Sequence, residues 1–282
     1  MDIQILAVPY DSGNHRARMG AGPEALLRAG LEDALRRAGH SVRTRIAELP
    51  ANAWIAEIQT GFELMKMLAF GVSEAVQSGH FPIVLAGNCN TAVGTLSGLS
   101  GTTGIVWFDA HADFNTPDTT TSGFLDGTAV ATITGRCWRQ LVTTIPGFHV
   151  VPDHAVCLVG VRDVDPLESE LVEKSAVAVV TAPDVRTGLR RALAGVAEHA
   201  DQIYVHIDLD VLDAAVARAN TYAVGGGLTL DDMNYALTEI AALLPIAGVT
   251  LSAYDPEADT DGAAARAAIA LISAAAALAD RA

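Results

Sequence analysis

Residues 104–115 read Gly-Ile-Val-Trp-Phe-Asp-Ala-His-Ala-Asp-Phe-Asn. The first five form a short apolar run with β-branched and aromatic members, the composition of a strand buried on both faces. Asp109, His111 and Asp113 follow directly, separated by Ala110 and Ala112. Alternation in an extended segment turns the three polar side chains to one side and the two alanines to the other. Carboxylates held so close repel each other unless a cation lies between them. Oxygen and imidazole donors without a thiolate pair suit a hard or borderline divalent metal. The competing reading is a solvated loop that happens to be acidic.

Outward from this stretch, strands are expected at residues 2–8, 42–47, 81–85, 155–161, 177–180, 203–207 and 249–252. Helical patterns fill most of the intervals: 24–38 with Pro23 in its first turn, 55–77, one from about 91, 125–134, 167–174 and 183–199. Thr229 caps a helix over 229–244, with Asp231 and Asp232 in its first turn. An Ala-rich helix spans 262–279. With the central strand this makes eight strands, most followed by a helix. The pattern predicts the α/β class: a three-layer αβα sandwich around a central eight-stranded parallel sheet. No linker or composition break divides the chain, so residues 1–282 are expected to form a single domain.

Half of the residues are hydrophobic, 50%, enough for a sizeable core and against disorder. A formal net charge of -15 argues against nucleic acid or an anionic membrane as partner and suits a cationic small molecule. No apolar stretch of membrane-spanning length is free of polar breaks; the Ala-rich segment comes nearest but carries Arg266 and Ser273. The start of the chain lacks the pattern of a signal peptide. Cys89, Cys137 and Cys157 are odd in number and widely spaced, which fits a reducing cytoplasm rather than a disulfide framework.

The polar clusters all fall after expected strands. Cys89 follows 81–85; Asp163 and Asp165 follow 155–161; Asp208 and Asp210 follow 203–207; Asp255 and Glu257 follow 249–252. Ligands of open α/β sheets bind beyond the carboxyl ends of the strands. A random scatter of acids would also populate helices and strand starts. Asp208-Leu209-Asp210 repeats the alternation of 109–113, giving more charged donors than one ion needs. Two ions sharing bridging carboxylates need that many, and such a pair activates a water.

Asp-Ala-His-Ala-Asp at 109–113 and His-Ile-Asp-Leu-Asp-Val-Leu-Asp at 206–213 resemble the two metal motifs of the arginase/ureohydrolase family. The likeness extends through Asn115, Thr119-Thr-Thr-Ser-Gly123, Gly160-Val-Arg-Asp-Val-Asp-Pro166, Gly226-Gly-Leu-Thr229 and Gly22-Pro23, and so spans nearly the whole chain. The resemblance implies a dimanganese hydrolase with two Mn2+ as cofactor and a small guanidino compound as substrate. It implies that Asp109 and Asp208 bridge the ions, that Cys89 and Asp113 complete the first, and that His111 and Asp210 complete the second. It places Asn115 and Ser122 on the substrate carboxylate and Asp165, assisted by Glu168, on the α-amino group. Asp255 or Glu257 would face the guanidinium. Asp113, Asp126 and Glu257 are the positions nearest the chemistry.

Two positions depart from the family pattern. Position 89 is Cys, in Ala86-Gly-Asn-Cys-Asn90, where arginases have His. A cysteine after a strand is often a small buried hydrophobe, but this one lies on a ligand position, and a thiolate binds metal. Position 126 is Asp where arginases have a His proton shuttle; a helix-cap role is the bland alternative. Together these changes resemble a narrower branch, the Nω-hydroxy-L-arginine amidinohydrolases. Agmatinase-, guanidinobutyrase- and formiminoglutamase-type activities are the alternatives within the family. Outside it stand a metal-binding pseudoenzyme and a mononuclear zinc deacetylase. His206 is read as a support for the metal motif and Trp107 as core.

Overall fold

The structure is a computed structural model and describes residues 1–50 and 56–281. Ten strands occur among them: β1 (Asp2–Val8), β2 (Tyr10–Asp11), β3 (Asn14–His15), β4 (Ser41–Ile46), β5 (Phe81–Ala86), β6 (Thr103–Phe108), β7 (Val156–Val159), β8 (Ala178–Val180), β9 (Gln202–Asp208) and β10 (Ile246–Ser252). The helices are α1 (Gly22–Arg28), α2 (Leu31–Arg37), α3 (Glu57–Gln77), α4 (Ala92–Gly98), α5 (Ala129–Ile133), α6 (Arg139–Val142), α7 (Pro166–Glu173), α8 (Val185–Ala197), α9 (Leu230–Leu243) and α10 (Ala263–Ala279). Eight strands form one sheet in the order β4-β1-β5-β10-β9-β6-β7-β8. All its pairings are parallel.

β6 is buried along its whole length. Alternate residues serve opposite layers. Val106 and Phe108 belong to the core layer that also holds α1, α2, α8, α9 and α10, while Ile105 and Trp107 belong to the layer of α3, α4 and α5. Burial of each such side chain stabilises by about 1.5–3 kcal/mol relative to exposure, which is why the apolar run is continuous rather than alternating. The expected three-layer sandwich is therefore the fold. β4 lies at an edge and is the most exposed of the long strands, as its polar sequence predicts. Among the described residues no helix is long and apolar enough to cross a membrane.

Several boundaries differ from expectation. The helix expected over 24–38 is two helices, because Gly30 adopts a left-handed φ of 97° and turns the chain between α1 and α2. The helix expected over 125–134 begins as a 3-10 turn at Asp126–Thr128 and becomes α5 only from Ala129. The strand expected over 155–161 stops at Val159. Gly160 has a φ of 95°, and a Cβ there would lie 2.6 Å from Val211 Cγ2, so the chain turns toward the next loop. Thr229 caps α9 as expected, its side chain accepting from the Asp232 N–H. The start expected for α3 at Ile55 lies outside the described residues. The β2–β3 hairpin and α6 were not anticipated; both are too short to carry a period.

Candidate metal and substrate site

β5, β10, β9 and β6 are neighbours in the sheet, and their carboxyl ends open into one cavity of about 280 Å³. The segments after β5, β6 and β9 bring polar side chains there, while the end of β10 presents Ala253. Cys89 stands on the turn after β5, Asp109, His111 and Asp113 follow β6, and Asp208 ends β9 with Asp210 on the turn beyond.

Donor atoms of Cys89, Asp109 and Asp113 lie within 4.8 Å of one another, and so do those of Asp109, His111 and Asp210. Asp109 belongs to both groups, the geometry of a bridging carboxylate. Asp208 is tied to both as well: its Oδ2 accepts from Cys89 Sγ at 3.0 Å and its Oδ1 from the Asp210 N–H at 2.9 Å. Asp109 is oriented by Trp107 Nε1–H, donating to Oδ2 at 3.0 Å, and by the His111 N–H, donating to Oδ1 at 2.7 Å. Asp210 Oδ2 accepts from Asn220 Nδ2 at 3.2 Å. Asp113 adopts a left-handed φ of 50°, and its Oδ2 is buried without a hydrogen-bond partner. A buried carboxylate oxygen with no donor is costly. Facing a cavity lined by other carboxylates, it fits a cation. The residues present therefore suit a pair of divalent ions.

The electrostatics agree. Burial, then the fields of neighbouring carboxylates, push the carboxyls of Asp113 and Asp208 well above the usual range. Burial and Asp210 raise that of Asp109. Burial likewise raises Asp126 and Glu168, each to about 7. Burial opposes charge on His111, but its contact with Asp109 and the fields of Asp109, Asp210 and Asp163 win and push it up to about 10. Without cations such a cluster holds protons. The unfolded chain releases them near pH 4, whereas the folded protein keeps those of Asp126 and Glu168 to about pH 7. In that window the folded state binds more protons, so its stability falls as pH rises. His111, raised to about 10, acts with the same sign at higher pH. We expect the melting temperature of chelated protein to fall from about pH 5 to about pH 8, with manganese-loaded protein much flatter over the same window. Scanning calorimetry in parallel on both forms checks it; identical slopes contradict it.

Arg162 was not singled out by sequence. Its guanidinium donates to the carbonyls of Asp210 at 2.8 Å, Gly160 at 3.0 Å, Val224 at 3.0 Å and Gly225 at 3.1 Å. It fastens the Asp210 turn to the following loop. In the sequence it stands within Gly160-Val-Arg-Asp-Val-Asp-Pro166, a stretch that shares the family likeness, as an arginine among acidic neighbours.

Asn115, Ser122, Asp165 and Glu168 all line the cavity. Asn115 Nδ2 donates to Asp165 Oδ2 at 3.3 Å, and Thr119 Oγ1 to Asn115 Oδ1 at 2.9 Å. Asp165 precedes the first turn of α7. Glu168 accepts from the Phe114 N–H at 2.7 Å and so joins α7 to the metal loop. Asp126 does not cap its helix. Its Oδ1 accepts from the Asn90 N–H and its Oδ2 from Asn88 Nδ2, both at 2.8 Å, clamping it across the turn that bears Cys89.

Asp255 and Glu257, expected to face the guanidinium, are not among the residues that line the cavity. Ala253 has a left-handed φ of 61°, which swings the chain after β10. Ala253 itself meets the cavity, the Asp255 N–H donates to the Ala219 carbonyl, and Glu257 is exposed. The wall expected to carry an acid is therefore Ala253 beside Asn220. Met19, Phe124, Asn220 and Tyr222 also line the cavity; Met19 comes from a short 3-10 turn and the others from loops, none with ligand-like spacing, so nothing in the sequence marked them.

The arginase family profile matches residues 1–277. The chain is 30% identical to an arginase of Bacillus caldovelox over 290 residues, covering 96% of each chain. It is 34% identical to an arginase of Brucella melitensis over 251 residues, covering 81% of each. The crystal structure of arginase from Bacillus cereus superposes with a TM-score of 0.87 at 25% identity, covering 98% of both chains.

Proposed function

The chain belongs to the arginase family of hydrolases, which act on amidino and guanidino groups, and from this premise we propose that it hydrolyses Nω-hydroxy-L-arginine, in preference to L-arginine, to an amine and a hydroxyurea or urea. Two Mn2+ would be held by Cys89, Asp109, His111, Asp113, Asp208 and Asp210, with Asp109 and Asp208 shared. When bound, such a pair supplies a nucleophile from water near neutral pH. The observation that carries the reading is the sharing of Asp109 between two donor groups beside the unpartnered Asp113 oxygen.

The chain's own residues do the rest. Asn115 and Ser122 offer hydrogen bonds to the substrate carboxylate, and Asp165 and Glu168 an anionic seat for its α-amino group. Asp126 is held by two N–H donors; they favour its charged form but do not overcome burial, which raises its carboxyl to about 7. It is a fixed acceptor near the reacting group rather than a side chain that swings to carry a proton. The wall formed by Ala253 and Asn220 offers no carboxylate to a full guanidinium, which supports the less basic hydroxyguanidine. Cys89, Cys137 and Cys157 are all free and buried, which supports a reducing, cytoplasmic setting.

The test is a substrate panel on manganese-loaded protein: L-arginine, Nω-hydroxy-L-arginine, agmatine and guanidinobutyrate, with release of urea or hydroxyurea measured. A site built to hydrogen-bond a group rejects the analogue lacking it strongly. Agmatine, without the carboxylate, is expected to fall on the order of 10²-fold below the better amino acid. Faster turnover of agmatine than of either amino acid overturns the assignment of Asn115, Ser122 and Asp165.

A further inference from the structure

Behind the metal cluster runs a second, wholly buried chain of polar groups that the reading above leaves without a task. β9 presents Tyr204, His206 and Asp208 at alternate positions, and β10 presents Thr250 and Ser252 beside them, with Thr250 opposite His206 and Ser252 opposite Asp208. Tyr204, His206, Thr250 and Ser252 are all completely shielded from solvent. Ser252 Oγ lies 3.1 Å from Cys89 Sγ and 3.1 Å from His206 Nε2, and His206 Nδ1 lies 3.2 Å from the Tyr204 hydroxyl. The His206 ring stacks on Trp107 at 3.6 Å and 11°. The same indole donates to Asp109.

We propose that Ser252, backed by His206 and Tyr204, is a positioning residue that aims a hydrogen bond at the Cys89 sulfur and sets how that sulfur binds the ion. The inference rests on Cys89 being a ligand, as read above.

The direction of the chain follows from counting donors. A neutral imidazole has one N–H and one acceptor nitrogen. In one polarity Tyr204 donates to Nδ1, Nε2–H donates to Ser252, and the Ser252 hydroxyl donates to sulfur. In the reverse polarity Nδ1–H donates to Tyr204, Ser252 donates to Nε2, and the sulfur must donate to Ser252. A coordinating thiolate has no proton to give. Only the first polarity leaves the Ser252 hydroxyl proton free for the sulfur at 3.1 Å; its other acceptor, the Ile207 carbonyl, lies farther off at 3.4 Å, and buried polar networks are stable only when fully satisfied. Trp107 keeps the imidazole in plane, and so one aromatic pair orients both the bridging carboxylate and the donor that reaches the sulfur. Partners that orient metal ligands from behind are typically worth about 10–100-fold in affinity.

Cobalt(II) titrated into chelated full-length protein tests this, because a thiolate ligand gives a charge-transfer band in the near ultraviolet. The unmodified protein is expected to show the band and Cys89→Ala to lose it. Ser252→Ala is expected to keep the band, move it to longer wavelength as the sulfur loses its donor, and bind cobalt about 10–100-fold more weakly. Ser252→Thr, which restores a hydroxyl, is expected to recover part of both. Tyr204→Phe removes the far end of the chain and is expected to give a smaller shift in the same direction, a second readout should Ser252→Ala fold poorly. A band in the unmodified protein that neither Ser252→Ala nor Tyr204→Phe moves, at unchanged affinity, overturns the positioning role alone. No band in the unmodified protein overturns Cys89 as a ligand, and the positioning role with it.

Discussion

Nω-Hydroxy-L-arginine is expected to be hydrolysed with a kcat/KM on the order of 10²–10⁴-fold above that of L-arginine, the span general acid–base help is typically worth. The reason is proton demand. Arginine's guanidinium stays charged near neutral pH, resists attack at its carbon, and needs a proton on the departing amine. The group nearest that task is Asp126, and both its oxygens are occupied by the Asn90 N–H and Asn88 Nδ2 at 2.8 Å. Burial lets this carboxyl keep a proton to about pH 7, but the two contacts fix its oxygens against the Cys89 turn, so it is poorly placed to deliver that proton to the departing amine. An N-hydroxy group lowers the basicity of the substrate and brings an ionisable proton of its own, so the missing shuttle costs it less. Asp126→His is expected to raise arginine turnover selectively. Parallel kinetics on the two substrates, with and without that substitution, decide the matter. Comparable kcat/KM values in the unmodified protein would return the chain to an ordinary arginase.

The legible and illegible parts of this site divide along physical lines. β6 and its three polar followers were legible because two periodicities coincide there: a continuous apolar run for a strand covered on both faces, then strict alternation that turns Asp109, His111 and Asp113 to one side. Asp208 and Asp210 were legible for the same reason. Cys89 was legible only through its position in a family motif, since a buried thiol after a strand is ordinarily core; its 3.0 Å approach to Asp208 is what ties it to the cluster. The placement of Asp255 and Glu257 off the cavity wall was not legible, because it turns on one backbone angle, the left-handed φ of 61° at Ala253, and alanine does not advertise that conformation. Gly30 does, yet the helical pattern on both sides of it concealed the break between α1 and α2. Asn220, Tyr222 and Phe124 reach the cavity from loops, and loops carry no period from which a direction could be read. The Ser252–His206–Tyr204 chain is a case between: its members alternate correctly on β9 and β10, but only the parallel register of those strands makes them neighbours.

Replacement of Asp109 by Ala is expected to abolish turnover and strip both metal positions, whereas Asp210→Ala is expected to deplete mainly one. Asp109 alone is common to the two donor groups that approach within 4.8 Å, while Asp210 enters only the group with His111. Asp109 is also the more deeply committed. Trp107 Nε1–H and the His111 N–H both donate to it, at 3.0 Å and 2.7 Å, and truncation would leave an indole donor buried without a partner, at a cost of about 1–3 kcal/mol. Asp210 accepts from Asn220 and from the Ala110 N–H at the longer distances of 3.2 Å and 3.3 Å. Its turn is held independently by Arg162 through backbone carbonyls, so the loop survives loss of the carboxylate. Elemental analysis after equilibrium dialysis against manganese separates the outcomes: two ions per chain in the unmodified protein, about one in Asp210→Ala and close to none in Asp109→Ala, as expected of a two-metal centre with shared carboxylates. Equal metal loss in the two variants would mean that the bridge is not where the shared geometry of Asp109 puts it, and Asp208, which contacts both Cys89 and the Asp210 N–H, would then have to carry that role alone.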